Sequence, residues 1–178
     1  MMYCPEEIER VLLTEEQLRE KVSELGELLT REYADKNPLF ICVLKGSVVF
    51  FADLIRAVKC PLEISFLRAS SYGSGTVSSG EVQLSVGANI DMRGRHVVIV
   101  EDIMDTARTL FALKNELLKR DPASLKIVTL LDKPSRRVVS GFTADYEGFA
   151  IDDLFVVGYG LDCGERFRNL PYIGVIKT

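Results

Sequence analysis

The stretch from Val97 to Leu110, which reads VVIVEDIMDTARTL, decides the fold that we expect for the whole chain. It begins with four β-branched apolar residues, 97–100, and such a continuous run is typical of a strand buried on both faces. Two adjacent carboxylates, Glu101 and Asp102, follow at the predicted end of this strand. Further polar side chains then precede a helical pattern: Asp105, Thr106 and Thr109. This order predicts a binding site at the carboxyl end of a buried strand.

Two interpretations of the polar turn are open. The free N–H groups and the dipole at a helix start favour a phosphate, and carboxylates at a strand end suit ribose hydroxyls or Mg²⁺. In the alternative, Asp105 and Thr106 only cap the helix. Capping does not explain why Glu101 and Asp102 stand together where the strand leaves the core. We therefore favour a site for a phosphorylated sugar.

Composition and charge limit the classes of function. The chain has 178 residues, 47% of them hydrophobic and 27% charged, which predicts one globular domain over residues 1–178. A net charge of −4 argues against a nucleic acid or an anionic membrane as partner. The sequence shows neither an apolar signal region nor an apolar span of membrane length. We expect a cytoplasmic protein.

Cysteine and histidine usage excludes some chemistry. The four cysteines show no C-x-x-C and no zinc-like spacing, and Cys42 lies in an apolar run where a reduced thiol is expected. His96 is the only histidine, so a Ser–His or Cys–His hydrolase is excluded.

The rest of the chain alternates between strand and helix patterns. Thr14 to Gln17 forms a capping box that starts a helix running to about Tyr33. Further strands are predicted at 39–44, 62–67, 82–86, 125–131, 155–157 and 173–176, with helices over 48–58 and after Thr109. The segment before Thr14 is predicted to be an extended arm. The alternation predicts an α/β fold with a parallel sheet.

A parallel sheet would bring several polar clusters to one edge, because ligands bind beyond the carboxyl ends of its strands. The clusters are Lys45-Gly46, 101–109 and 132–133, and residues 158–162 are expected to join them from a flanking subdomain. Gly46 suits close approach of the backbone to an anion, but a tight turn would explain it equally well. The small polar residues 70–80 suit a linker or a lid. Residues 135–141, with Arg136 and Arg137, are predicted to be a solvated connection.

These motifs together resemble the type I phosphoribosyltransferases, in which an apolar strand, two acidic residues and Asp-Thr-Gly-x-Thr bind phosphoribosyl pyrophosphate (PRPP). The match covers nearly the whole chain, with Leu-Lys-Gly at 44–46, Asp-Lys at 132–133, Phe-Val-Val-Gly-Tyr-Gly-Leu-Asp at 155–162 and Arg-Asn-Leu-Pro at 168–171. It is similar to the hypoxanthine–guanine branch, in some members also acting on xanthine. The resemblance implies a central parallel sheet flanked by helices, with a small hood from the N- and C-terminal segments. It also implies a cis peptide before Lys45 and a homodimer or homotetramer.

The resemblance also implies roles for individual residues. Asp105 would be the general base, and the substrates would be PRPP and a 6-oxopurine, with Mg²⁺ as cofactor. Residues expected to bind PRPP or the nucleotide are Lys45, Gly46, Glu101, Asp102, Asp105, Thr106, Ala107, Arg108, Thr109 and Arg168. Purine contacts are expected from Lys133, Phe155, Val156 and Asp162, and lid contacts from Ser71 and Tyr72. Carboxylates expected near the metal are Glu101, Asp102 and Asp162.

One departure from the family and two alternatives remain. Ala107 stands where the family has glycine, so either its φ is negative or PRPP binds more weakly than it could. One alternative function is a phosphoribosyltransferase for another base, and the other is an RNA-binding regulator on the same fold. The acidic balance argues against RNA, and Lys133 with the 155–162 run favours a 6-oxopurine.

Overall fold

The computed structural model of the chain describes residues 5–71, 82–84 and 90–177. Within these ranges the elements in chain order are β1 (Ile8–Leu13), α1 (Glu15–Tyr33), β2 (Leu39–Leu44), α2 (Val48–Ala57), β3 (Glu63–Ser71), β4 (Val82–Leu84), β5 (His96–Met104), α3 (Arg108–Leu118), β6 (Ser124–Asp132), β7 (Tyr146–Ala150), β8 (Val156–Val157) and β9 (Ile173–Ile176). A short 3-10 turn covers Pro134–Arg136. No helix among the described residues is long and apolar enough to cross a membrane.

The central sheet has the strand order β4-β3-β2-β5-β6-β7 among the described residues. The five strands from β3 to β7 in this order run parallel, and β4 pairs antiparallel with β3 at one edge. Strand β2 and residues 97–100 of β5 are continuous apolar runs, as expected for strands that are covered on both faces. The predicted parallel sheet is confirmed.

Helices cover the two faces of the sheet. Residues of α1 and α2 pack with Phe40, Cys42 and Val98 on one face. Leu110, Leu113 and Leu117 of α3 pack with Ile41 and Ile99 on the other face. Alternate residues of a strand point to opposite faces, so neighbouring residues of β2 contribute to different cores. A parallel sheet covered by helices on both faces agrees with the arrangement that the resemblance implies.

The hood is a small antiparallel sheet of β1, β9 and β8 among the described residues. The extended arm of the sequence prediction is therefore a strand, β1, whose Ile8 lies opposite Ile176. Val156 of β8 lies opposite Val175 of β9. Segments from the two ends of the chain thus form the predicted hood.

Several boundaries differ from the sequence prediction. The strand predicted to end at Val100 continues to Met104, so the acidic pair lies within β5. The third strand continues from residue 67 to Ser71, into the segment predicted to be a lid. The alternation near Val82 does form a hairpin strand, β4. Strand β7 was not predicted at all. The lid residue Tyr72 lies outside the described residues, and Ser71 is described only as the last residue of β3.

Candidate active site

The predicted polar clusters meet where the parallel strands end. A Cβ added to Gly46 would overlap the carboxylate of Asp102, and one added to Gly160 would overlap the carbonyl oxygen of Gly46. The backbone of the Lys45-Gly46 loop therefore lies between β5 and the hood. Backbone contact requires glycine at position 160, and a side chain at position 46 would displace the Asp102 carboxylate. The Leu44–Lys45 peptide is cis, as the resemblance implies. The amide of Lys133 donates to the carbonyl of Met104 at 3.0 Å, which joins the ends of β6 and β5.

The acidic pair is half-buried within β5. Burial raises the pKa of Glu101 well above its usual value, and the neighbouring Asp102 carboxylate raises it further. The pKa of Asp102 is also raised, again mainly by burial. Asp102 Oδ1 accepts a hydrogen bond from the Ile103 amide at 2.7 Å. The pair therefore favours binding partners that replace lost hydration, such as hydroxyl groups or a cation.

The turn from β5 into α3 encloses a small cavity of about 210 Å³. Its lining comes from both strand ends and the turn: Val43, Leu44, Glu101, Ile103, Met104, Asp105, Thr106, Ala107, Thr109 and Leu110. Ala107 stands at the N-cap of α3 with φ +64° and ψ 0°. A negative φ, one of the two alternatives for this alanine, is therefore wrong. The left-handed conformation explains why the family prefers glycine here.

The connection over 135–141 is mostly exposed, as predicted, but its Arg136 and Arg137 also contact this turn. The Arg136 Nε donates to Asp105 Oδ1 at 3.2 Å. Arg137 Nη1 donates to the carbonyl oxygen of Asp105 at 2.8 Å, and its guanidinium forms an ion pair with the buried Asp132. The sequence signal was available, because two arginines follow directly on a strand end that carries Asp132.

The residues expected at the purine lie between the β6 end and the hood. Lys133 is only 7% exposed, and its Nζ lies 3.5 Å from Asp153 Oδ1. The side chain of Val156 is buried, whereas Phe155 is 53% exposed. An exposed aromatic ring such as that of Phe155 can stack on a flat heterocycle. No sequence motif predicts the contact between Asp153 and Lys133.

The cations expected at the pyrophosphate are already paired with carboxylates of the hood. Lys45 Nζ lies 2.9 Å from Glu165 Oε2, and Arg168 Nη2 lies 2.8 Å from Asp162 Oδ1 and 3.4 Å from Glu165 Oε1. The hydrogen bond from Lys45 lowers the pKa of Glu165. Arg168 Nη1 also donates to the Gly160 carbonyl at 2.8 Å. Glu165, which sequence reasoning missed, thus contacts both cations.

The donor set fits Mg²⁺ only as an ion shared with a substrate. No group of three or more His, Cys, Asp or Glu side chains in the described part of the chain could hold a metal alone. Mg²⁺ commonly takes one or two carboxylates and completes its coordination with phosphate oxygens and water. The carboxylates of Glu101, Asp102 and Asp162 would be the hard oxygen ligands for such an ion. Arg168, which pairs with Asp162, also acts to lower the pKa of Asp102.

Comparison with known proteins supports the resemblance to the phosphoribosyltransferases. Residues 12–163 match the phosphoribosyl transferase domain family. A hypoxanthine-guanine phosphoribosyltransferase of Lactococcus lactis is 55% identical over 170 residues, covering 96% of this chain and 92% of that protein. A bifunctional TilS/HprT protein of Listeria innocua is 51% identical, and the chain spans 26% of its length. A crystal structure of a hypoxanthine-guanine phosphoribosyltransferase from Bacillus anthracis is 47% identical with a TM-score of 0.90, covering 96% of this chain and 100% of that one.

The chain belongs to the phosphoribosyltransferase family, with the type I fold. Within that family its relatives, at about half identity over nearly the whole chain, are enzymes named for hypoxanthine and guanine.

Proposed function

We propose that this enzyme transfers the 5-phosphoribosyl group of PRPP to N9 of hypoxanthine or guanine, which gives IMP or GMP and pyrophosphate in purine salvage. The observation that carries the proposal is the buried Lys133 at the end of β6, whose Nζ lies 3.5 Å from Asp153 in the segment that leads to Phe155. A lysine offers only donors, so it complements a carbonyl oxygen at purine position 6.

The other residues divide the substrates between them. Glu101 and Asp102 would accept hydrogen bonds from the ribose hydroxyls, and the turn over 106–109 would hold the 5′-phosphate at the start of α3. Phe155 would stack on the base, and the main chain of Val156 would bind its edge. Lys45 and Arg168 would contact pyrophosphate once Glu165 releases them.

In the reaction, purine N9 forms a bond to the anomeric carbon as the bond to pyrophosphate breaks. Asp105 would act near N7 as the general base, which typically contributes ~10²–10⁴-fold. Negative charge develops on the leaving group, and Lys45 with Arg168 would stabilise it. Asp162 would help to hold Mg²⁺ on the pyrophosphate side, where the ion would supply further charge neutralisation.

A panel of bases with PRPP tests the proposal. A site built around a hydrogen bond rejects an analogue that lacks the partner by up to ~10⁴–10⁵ in kcat/KM. Hypoxanthine and guanine should react, whereas adenine should be nearly inert because its amino group meets Lys133 donor to donor. Lys133→Met should depress the two reactions strongly and leave adenine near its background rate. Use of adenine within about tenfold of hypoxanthine would contradict the assignment to 6-oxopurines.

Several finer points rest on the resemblance to the family. We propose that the protein acts in the cytoplasm as a homodimer or homotetramer and needs Mg²⁺ with PRPP. Light scattering on the purified protein would give the assembly, and chelation with EDTA followed by added Mg²⁺ would test the metal. An RNA-binding role is less favoured, because the net charge is −4 and such binding depends on basic surface.

A further inference from the structure

Four side chains of alternating charge connect the two ends of the expected purine edge. Asp105 Oδ1 lies 3.2 Å from Arg136 Nε. Arg136 Nη1 lies 3.5 Å from Asp153 Oδ2. The other oxygen of that carboxylate, Asp153 Oδ1, lies 3.5 Å from Lys133 Nζ. The series joins the expected general base to the lysine expected to recognise the purine carbonyl.

We propose that Arg136 is a positioning residue for the transfer reaction, which holds the Asp105 carboxylate in place and couples it through Asp153 to Lys133. This inference rests on the proposed function. It assigns to the turn after β6 a task in the chemical step, although Arg136 itself would touch neither substrate.

The geometry of the guanidinium suits this task. Arg136 uses Nε for one carboxylate and Nη1 for another, and the planar group fixes the angle between them. It occupies only Oδ1 of Asp105, so Oδ2 is left for the purine. Position N7 and the oxygen on C6 lie side by side on the same edge of a 6-oxopurine. The two protein groups that address them must therefore keep a fixed spacing.

The fold itself depends on other contacts. The main chain of Asp105 is held by Arg137, whose Nη1 donates to its carbonyl oxygen. The amide of Lys133 donates to Met104 independently of any side chain. Arg136 and Asp153 are each about half exposed, and exposed ion pairs contribute little to stability. Loss of Arg136 should therefore release the Asp105 side chain and leave the turn in place.

Steady-state kinetics with hypoxanthine and PRPP test the inference. In Arg136→Gln we expect kcat to fall about 10- to 100-fold, the size of effect that a small misplacement of a reacting group produces. The KM for PRPP should stay within about twofold. Arg136→Lys should give an intermediate kcat, because one ammonium group can keep only one of the two contacts. The control is Arg19→Gln, which removes a more exposed ion pair, to Glu16 on α1.

A double-mutant cycle with Asp153→Asn tests the coupling. If the four groups act as a unit, Asp153→Asn should lower kcat clearly in the wild-type background and much less in Arg136→Gln. Any one of three results would overturn the inference. The effects of the two substitutions could be additive, kcat of Arg136→Gln could lie within threefold of wild type, or the urea midpoint of Arg136→Gln could fall well below that of Arg19→Gln. In each of these cases the proposed function would still hold, provided that the wild-type protein turns over hypoxanthine. Absence of wild-type turnover with every base would overturn both.

Discussion

Ala107 is the residue at which this chain departs from its family, and its backbone is left-handed, with φ +64°. An L-residue in that conformation costs roughly 1–2 kcal/mol, a cost that glycine does not have. Ala107→Gly should therefore lower the KM for PRPP or leave it unchanged, since the added freedom lets the amides around the phosphate adjust. The measurement is KM for PRPP at saturating hypoxanthine. A large rise in KM would mean that the buried methyl group has a packing role.

Asp105 offers a direct test of base catalysis. Asparagine keeps the size of the side chain and much of its hydrogen bonding, but it cannot take a proton. In Asp105→Asn we expect PRPP to bind as before, measured by calorimetry, while kcat falls more than tenfold. A smaller fall would leave Asp105 only as the hydrogen-bond partner of Arg136.

Glu165 competes with the expected pyrophosphate for two cations. Glu165→Gln removes the charge that pairs with Lys45 and Arg168, so PRPP should no longer displace it. Because exposed ion pairs are weak, we expect a modest fall in the KM for PRPP, about two- to fivefold. The matched control is Glu7→Gln, which breaks an exposed ion pair to Arg166 in the hood. An unchanged KM in Glu165→Gln would argue against the competition.

For single residues, the sequence motifs predict which side chains belong near the site, but they do not predict which ion pairs these side chains form. Lys45, Arg168 and Asp162 stand in recognisable motifs, whereas Glu165 and Asp153 do not. Their contacts connect residues far apart in the chain, as Lys45 and Glu165 do. Such pairs depend on how the hood is placed over the sheet, and local sequence patterns carry no information about that.

Among the elements, α1 has the most explicit start signal. Thr14 Oγ1 accepts from the Gln17 amide at 3.2 Å, and Gln17 Oε1 accepts from the Thr14 amide at 2.9 Å. Thr14→Ala should destabilise the protein by about 1 kcal/mol, measured by urea unfolding. Thr14→Ser should retain most of that stability, and kcat should be unchanged in both variants because α1 contributes no residue expected to touch a substrate. Equal stability of Thr14→Ala and wild type would mean that the capping box contributes nothing.

The strands show where sequence patterns fail for elements. The polar end of β5 was predicted to be turn, yet Glu101 lies opposite Thr129 in the β6 ladder. Pairing with a neighbour overrides the low strand propensity of carboxylates. Strand β7 was missed because it is short and half-buried, with Gly148 in its middle. A Cβ at Gly148 would overlap the carbonyl oxygen of Leu130, so this glycine marks close approach of two strands and not a turn.

For the whole molecule, the alternation of buried strands and helices was enough to predict the parallel sheet and the edge where the clusters meet. It was not enough to predict the contact between the Gly46 loop and Gly160, which closes the hood onto the sheet. That contact joins two segments with few side-chain atoms, and hydrophobic periodicity cannot signal backbone packed against backbone.

The pairing of β1 with β9 brings both ends of the described chain to one place on the surface. Ile8 lies opposite Ile176, and the Lys177 amide donates to the Glu7 carbonyl at 2.9 Å. A short glycine–serine linker could therefore join the ends, with new termini opened at Ser140–Gly141 in the exposed connection between β6 and β7. This circular permutant should fold and turn over hypoxanthine, measured by unfolding and kinetics. A permutant that does not fold would show that the native order of synthesis, and not only the final pairing, is needed to seat the hood.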